Sequence, residues 1–133
     1  MAILSDFVSV MENKNFDVQI GDSKNRNGWT EPFKTGRRRA NDTAFITFMV
    51  KGMTLTNENA NVFINDRKVG VLFNNKGGNP NHWQTQTIAL SGSDLNDGEN
   101  VLRVEPVSNP GTSGGTFDDF FIRNVYCHFH QNS

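Results

Sequence analysis

The stretch Ile-Ala-Leu-Ser-Gly-Ser-Asp-Leu-Asn-Asp-Gly-Glu-Asn-Val-Leu-Arg-Val, from Ile88 to Val104, decides the fold. An apolar strand enters it, a polar connection follows, and a second strand leaves it with Leu102 and Val104 on one face. Leu95 is the single apolar residue of the connection. We expect it to close the end of a hydrophobic core while the polar residues around it turn the chain. The stretch therefore predicts a crossing from one β-sheet to another.

Alternation of apolar and polar residues, the pattern of a half-buried strand, recurs along the chain. A polar tetrad at residues 65–68, between two short apolar runs, predicts a hairpin. Residues 3–11 also fit one face of a helix, and there we prefer the strand. About eight strands are predicted: 3–11, 16–20, 44–53, 61–64, 69–73, 83–90, 101–107 and 117–129.

The spacing of these strands predicts the fold class. No segment shows a helix of three turns with caps, and strands at this spacing are typical of sandwiches and barrels. Between the strands lie long polar segments at residues 21–42, 74–82 and 108–119, which we interpret as loops. The sequence predicts one all-β domain over residues 1–133, an antiparallel β-sandwich of jelly-roll type.

The bulk composition excludes several classes of partner. Lysine and arginine number 13 against 14 acidic residues, so the net charge of -1 gives no electrostatic reason to bind nucleic acid or an acidic membrane. Cys127 is the only cysteine, so no internal disulfide forms. The first residues lack the basic start and long apolar run of a signal peptide. We expect synthesis in a reducing cytoplasm, with leaderless export as the alternative, and no insertion in a membrane.

Several segments between Asn61 and Phe129, about half of the chain, resemble the galactose-binding-like jelly-roll superfamily. They are Val62-Phe63-Ile64-Asn65 followed by Val69-Gly70, the strand led by Trp83, Leu95-Asn96-Asp97-Gly98-Glu99-Asn100-Val101-Leu102-Arg103-Val104, and Asp118-Asp119-Phe120-Phe121-Ile122. The resemblance implies a fold that often serves as a carbohydrate-binding module or lectin, and in other members as a non-catalytic accessory domain.

The three long loops carry the candidate ligand residues. If the loops meet at one edge of the sandwich, one shallow cleft would offer an aromatic face and paired hydrogen-bonding groups, which suits a neutral sugar. The residues expected to line it are Trp29, Arg38, Asn41, Asp42, His82 and Asp118.

Each candidate also has a purely structural interpretation. Trp29 is as well explained as a plug in the core, and Trp83 begins a strand and is expected to be partly core. The arginine run 37–39 fits a solvated loop end better than a bidentate donor. Asn41 and Asp42 would equally start the next strand. Loop solubility explains the polar groups near His82, which are Asn75, Asn79 and Asn81.

Two metal sites are conceivable. Asp118 and Asp119 could join Asp17 or Asp22 around a calcium ion, which takes hard oxygen ligands, and the jelly-roll resemblance favours a structural calcium. The pair His128 and His130 shares one strand face, but two imidazoles without a third ligand are usually surface residues.

Catalysis is not expected. A nucleophile would need a histidine held by an acid, and Cys127 falls on the apolar face of a strand. Asp118 and Asp119 are neighbours that point to opposite faces, so they cannot flank one substrate as glycosidase carboxylates do.

The alternative to carbohydrate binding is a structural or assembly role, in which the sandwich self-associates or docks a protein partner. Alternation gives two strands a second apolar face, made of Phe45, Met49, Phe120, Ile122 and Tyr126. Two packed sheets bury only their inner faces, so these residues should be covered by loops, by the N-terminal segment or by another chain. A homo-oligomer would also raise the avidity of weak sugar sites.

Overall fold

The computed structural model describes residues 3–11, 17–36, 38–111 and 115–132. They form nine strands and one short 3₁₀ turn: β1 Ile3–Ser9, β2 Val18–Ile20, β3 Trp29–Lys34, β4 Ala44–Gly52, β5 Ala60–Ile64, β6 Arg67–Leu72, β7 Trp83–Leu90, the turn Gly92–Asp94, β8 Glu99–Val104 and β9 Phe120–Asn132. In this described part of the chain, no helix has the length and apolar character needed to cross a membrane.

The strands form two antiparallel sheets packed face to face. The five-stranded sheet has the order β1-β9-β4-β7, and β2 also pairs with β9. The four-stranded sheet has the order β3-β8-β5-β6. β1 and β2 lie one after the other along β9, because β1 pairs with its last residues and β2 with its first. The predicted antiparallel β-sandwich of jelly-roll type is confirmed.

β4 shows why the sequence forms this core. Its alternate residues Ala44, Ile46, Phe48 and Val50 are buried between the sheets, while the residues between them face outward. Burying a large side chain of this kind stabilises the fold by about 1.5–3 kcal/mol relative to leaving it exposed. One continuous cluster of such residues from both sheets makes up the core.

The stretch that links β7 to β8 crosses between the sheets as predicted. Leu95 is 2% exposed and closes one end of the core. Before it, the Asp94 carboxylate accepts a hydrogen bond from the Ser91 backbone N–H at 2.9 Å and holds the 3₁₀ turn. After it, the buried Asn100 side chain accepts from the Asn96 N–H at 2.7 Å and donates to two carbonyls of the connection. The polar residues of this connection satisfy its own backbone.

The predicted loop at residues 21–42 is partly wrong, because it contains β3. This strand lies at the edge of the four-stranded sheet and pairs only with β8. Trp29 and Phe33 are buried on its inner side. Pro32 argues against a central strand, but an edge strand tolerates a residue that lacks a backbone N–H.

The faces predicted for the last strand are also partly wrong. The pairing of β4 with β9 shifts between Thr47 and Met49, where Asn124 adopts a positive φ of 50°. Such a bulge adds one residue to a strand and reverses the faces beyond it. As a result Phe120 and Ile122 are fully buried and add no outer apolar surface.

The predicted hairpin is confirmed with a tighter turn than the tetrad indicated. Asn65 and Asp66 alone make the turn between β5 and β6, with φ of 53° and 65°. Two successive positive values are typical of the primed turns that match the twist of a hairpin.

Candidate functional site

A shallow depression of about 280 Å³ lies where β2 passes the start of β3. Two kinds of group share its lining. The aromatic part is Trp29 and Phe121, and the polar part is Asp17, Gln19, Lys24 and Asn25. This mixture of flat apolar surface with amide, carboxylate and ammonium groups is the chemistry of a small polar ligand site, and the volume is at the low end for such sites.

The amide groups of the depression are positioned by local backbone structure. Gln19 lies directly opposite Phe121 in the pairing of β2 with β9, so both side chains project from the same face. Asn25 has a φ of 54°, and its side-chain amide donates to the Gln19 carbonyl at 2.6 Å. The carbonyl of Lys24 accepts from the Gly21 N–H at 2.8 Å and closes the loop after β2.

Asp17 forms the charged rim of the depression together with Arg123 of β9. The Arg123 guanidinium donates through Nε at 2.7 Å and through a second nitrogen at 3.1 Å to the two Asp17 oxygens. This hydrogen bond raises the pKa of Arg123 above its usual value. The guanidinium also lies 3.9 Å from the centroid of Trp83. The ion pair fixes one carboxylate at the edge of the depression.

Lys51 continues this cluster across the outer face of the sheet. Its ammonium lies 4.9 Å from the centroid of Trp83 and 5.0 Å from that of Phe121. Trp83 is half-buried, but it lies on this outer face and not in the core cluster, so the prediction that it is partly core is wrong. Cations over aromatic faces are mutually stabilising, so these long side chains have preferred positions beside the depression.

Trp29 does not offer an open ring face. It is 6% exposed, pairs with Val104 and belongs to the hydrophobic core. The small part of it that solvent reaches lines the depression. The ring therefore acts mainly as the structural plug, and it contributes to the wall of the site rather than to a stacking platform.

The single cleft predicted from six loop residues does not form. Ala44 pairs with Leu90 at one end of β4, and Lys51 pairs with Trp83 at the other. The loop after β3 and the loop before β7 therefore lie at opposite ends of the sandwich, roughly 25 Å apart at the rise of a strand. Arg38, Asn41 and Asp42 belong to one end, and Trp29, His82 and Asp118 belong to the other.

The residues at the same end as Trp29 do not gather around it either. β2 and β7 are on opposite sides of the sheet, with β9 and β4 between them. At ordinary strand spacing His82, just before β7, is roughly 10 Å from the β9 wall of the depression and roughly 14 Å from its β2 wall. Asp118 is 2% exposed, and its carboxylate accepts from the Leu55 and Thr56 N–H groups at 3.0 and 3.2 Å. Asp118 is thus a buried support for the loop after β4.

The predicted polar residues at the other end have local partners. The Asp42 carboxylate accepts from the Thr43 N–H at 2.7 Å, just before β4 begins. Arg38 is exposed, and its carbonyl accepts from Asn132. Arg39 donates to the Gly92 carbonyl at 2.7 Å, while Arg37 lies outside the described residues. Ligand contacts of Arg38, Asn41 and Asp42 stay predictions.

The asparagine-rich loop before β7 is also held by contacts among its own residues. Asn79 accepts from the Asn81 N–H at 2.9 Å, and its amide lies 3.3 Å from His82 Nε2. These contacts agree with the interpretation of the loop as a solvated connection.

The four aspartates considered for calcium are divided among different partners. Asp22 accepts from the Thr116 and Phe117 N–H groups, and its own N–H donates to the Asp119 carboxylate at 2.8 Å. Asp17 is paired with Arg123. Among the described residues, no three His, Cys, Asp or Glu side chains come together as metal ligands. The acidic side chains alone do not form a calcium cage, and calcium binding stays a prediction.

A second hollow, of about 530 Å³, lies at the opposite end of the sandwich. Its lining is polar and includes Lys34, Asn96, Asp97 and Glu99, with the backbone of glycines 36 and 98. It offers no aromatic surface, so it suits a sugar less well than the depression does.

Side chains for nucleophilic catalysis are not assembled in the described part of the chain. Cys127 is fully buried, and burial raises the pKa of its thiol to about 12. His128 stacks on Phe45, and His130 Nδ1 lies 3.1 Å from the Thr43 carbonyl. In the described part of the chain, neither of these two histidines is hydrogen-bonded to an acidic side chain.

Sequence reasoning missed most of the residues of the depression. Gln19 and Phe121 were not among the residues expected to line a ligand site. The alternation around Phe16, Val18 and Ile20 did carry a signal, since it places Asp17 and Gln19 together on the outer side. Phe16 itself lies outside the described residues.

Comparison with known proteins relates the chain to others through its fold. No known family model matches the sequence. No curated protein matches it significantly either. A family 35 carbohydrate binding module from Clostridium thermocellum superposes with a TM-score of 0.53 at 11% identity, over 97% of this chain and 98% of that one. The CBM36-1 domain of a multidomain xylanase, from the hindgut metagenome of Trinervitermes trinervoides, gives 0.51 at 12% identity over 93% and 96%. These likenesses support the jelly-roll fold over nearly the whole chain.

Proposed function

We propose that this protein binds carbohydrate without cleaving it, and that the sugar occupies the depression between β2 and the start of β3. The observation that carries this proposal is the lining, in which Phe121 and Trp29 are combined with one carboxylate and two amides. Side-chain amides donate and accept hydrogen bonds and carboxylates accept them, so together they can pair with vicinal hydroxyls of a sugar. Aromatic surface packs against the C–H face of a sugar ring, and here Phe121 provides it while Trp29 adds only to the wall.

The shape of the depression favours a small and weakly held ligand. A volume of about 280 Å³ is close to the lower limit for ligand pockets, so it accommodates little more than one sugar residue. A shallow site buries little surface, and the hydroxyls must give up water. We therefore expect dissociation constants on the order of micromolar to millimolar per site.

The fold supports this proposal. One of the two superposing proteins is a family 35 carbohydrate binding module, and the other is the CBM36-1 domain of a multidomain xylanase. Xylo-oligosaccharides therefore belong among the first ligands to test. Because calcium binding stays a prediction, sugar binding is tested with and without calcium.

A glycan array, run with added calcium and again with a chelator, tests the proposal. We expect signals from neutral sugars that fall sharply in a Gln19→Ala variant. Gln84→Ala is the matched control, because Gln84 is an exposed glutamine of β7, away from the depression. Blank arrays with folded protein at high concentration would contradict carbohydrate binding. Equal signals from the Gln19→Ala and wild-type proteins would contradict the site.

A further inference from the structure

A row of three rings crosses the outer face of the five-stranded sheet. Phe7 of β1 and Phe45 of β4 both lie directly opposite His128 of β9, so the three side chains stand side by side. Phe45 stacks on His128 with centroids 4.4 Å apart and an interplanar angle of 16°, and Phe7 lies 5.8 Å from the same imidazole. Phe7 is 61% and Phe45 40% exposed. We call Phe7, His128 and Phe45 the aromatic row.

The aromatic row and the depression are on the same side of the sheet. Phe121 of the depression lies directly opposite Lys51 of β4, and Phe45 precedes Lys51 on the same outward face of that strand. The two positions are six residues apart, which is roughly 20 Å along a strand. A ligand that fills the depression can therefore reach the row only if it extends along β4.

The surface between these two places carries hydroxyl groups. Thr47 lies opposite both Tyr126 and Thr87, and Met49 lies opposite Thr85. The positions of Thr47, Met49, Thr85 and Thr87 bear no charge. At the depression end of this strip, the Lys51 ammonium lies over the rings of Trp83 and Phe121, and Arg123 is paired with Asp17. An uncharged strip of hydroxyls between two aromatic places matches a neutral chain of sugars better than it matches a charged polymer.

We propose that the ligand is an extended neutral oligosaccharide, with one end in the depression and its chain laid along β4 to the aromatic row. This inference rests on the proposed function and adds the chain length and the second contact surface. Tyr126 extends the row on one side, where its ring lies 6.1 Å from that of Phe7 in an edge arrangement, and Ser5 and His130 border the row on the other side. A stable contact with a second protein would need roughly 800 Å² from each partner, and light scattering tests for such a contact below.

Titration of a sugar series tests the inference. Xylose to xylohexaose and glucose to cellohexaose are titrated into wild-type protein, Phe45→Ala and Phe73→Ala by calorimetry. Phe73 is the matched control, because it is 62% exposed and follows β6 of the other sheet. We expect the wild type to bind a hexasaccharide about tenfold or more tightly than the monosaccharide, a gain of roughly 1.4 kcal/mol. Phe45→Ala should lose most of that gain and keep its affinity for the monosaccharide, while Phe73→Ala should keep both.

The outcomes separate the inference from the function it rests on. Affinity that is independent of chain length, or a hexasaccharide affinity unchanged by Phe45→Ala, would overturn the inference and leave the depression as the sugar site. Failure of every sugar to bind the wild type would overturn both. Light scattering on the same samples tests the alternative that the aromatic row is a contact between copies of the chain. If the wild type self-associates and Phe45→Ala is monomeric, the aromatic row is a contact between copies and the inference is wrong.

Discussion

Gln19 of β2 and Phe121 of β9 are direct cross-strand partners, which places an amide and an aromatic ring on the same wall of the depression. The pairing depends on two separate features of the chain. β2 continues along β9 where β1 has ended, and the bulge at Asn124 turns Phe121 outward. The candidate site thus follows from the register of one short strand.

Replacing Trp29 with alanine should destabilise the fold. Its side chain is 6% exposed and lies in the core, so its loss leaves a cavity that costs about 3–5 kcal/mol of unfolding free energy. Chemical denaturation measures this value. Phe73→Ala, at an exposed position, should change stability by less than about 1 kcal/mol. A Trp29→Ala protein as stable as the wild type would show that the ring is not core.

Asn100→Ala should also be strongly destabilising, for a different reason. The Asn100 amide is 1% exposed and satisfies the Asn96 N–H and the Asn96 and Gly98 carbonyls. Leaving buried polar groups unpaired costs about 1–3 kcal/mol for each group, so a total loss of at least 2 kcal/mol is expected. Asn96→Ala is the control, since the Asn96 side chain is exposed and should matter little. Similar stabilities of the two variants would argue against this network.

The bulge in β9 can be tested through its backbone conformation. Asn124 has a φ of 50° and an exposed side chain. Asn124→Val should cost about 1–3 kcal/mol, because β-branched residues avoid positive φ. Asn124→Gly should remain within about 1 kcal/mol of the wild type, because glycine adopts this conformation freely. If valine and glycine are equally tolerated in thermal unfolding, the bulge is not present.

Cys127 should be unreactive in the folded protein. Thiol reagents attack the thiolate, and burial raises the pKa of Cys127 from 9.0 to about 12. At pH 8 iodoacetamide should therefore label the protein only after denaturation, as mass spectrometry would show. The raised pKa also means that this group contributes stability below pH 9, which is lost as the pH rises towards 12. Rapid labelling of folded protein would place the thiol at the surface instead.

The sequence was sufficient to predict the sandwich because strand alternation is a property of local sequence. The pattern from Ala44 to Val50, the Asn65-Asp66 hairpin and the Leu95 plug each depend on residues close together in the chain. β3 was missed because its sequence gives a weak strand signal. It has only two buried residues, and it contains Pro32, which is unusual in a strand. The faces of Phe120 and Ile122 were reversed because a bulge adds a residue without leaving a mark on the alternation.

The site could be predicted only in part, since it depends on which strand ends meet. Trp29 was named from the sequence and does line the depression, though mostly as core. Arg38, Asn41 and Asp42 were grouped with it because they follow it closely in the chain. β3 begins at Trp29 and carries the chain to the opposite end of the sandwich before Arg38 is reached. Because residues 21–42 were interpreted as one loop, the distance between Trp29 and the three polar residues was not predicted.

A backbone amide NMR titration with xylohexaose and cellohexaose would show directly where a sugar binds. The proposed site predicts the largest chemical-shift changes at Gln19, Asn25 and Phe121, with smaller changes continuing along β4 to Phe45. Changes confined to Lys34, Asn96 and Gly98, at the opposite end of the sandwich, or no changes with any sugar that the array shows to bind, would contradict the assignment of the depression as the carbohydrate site.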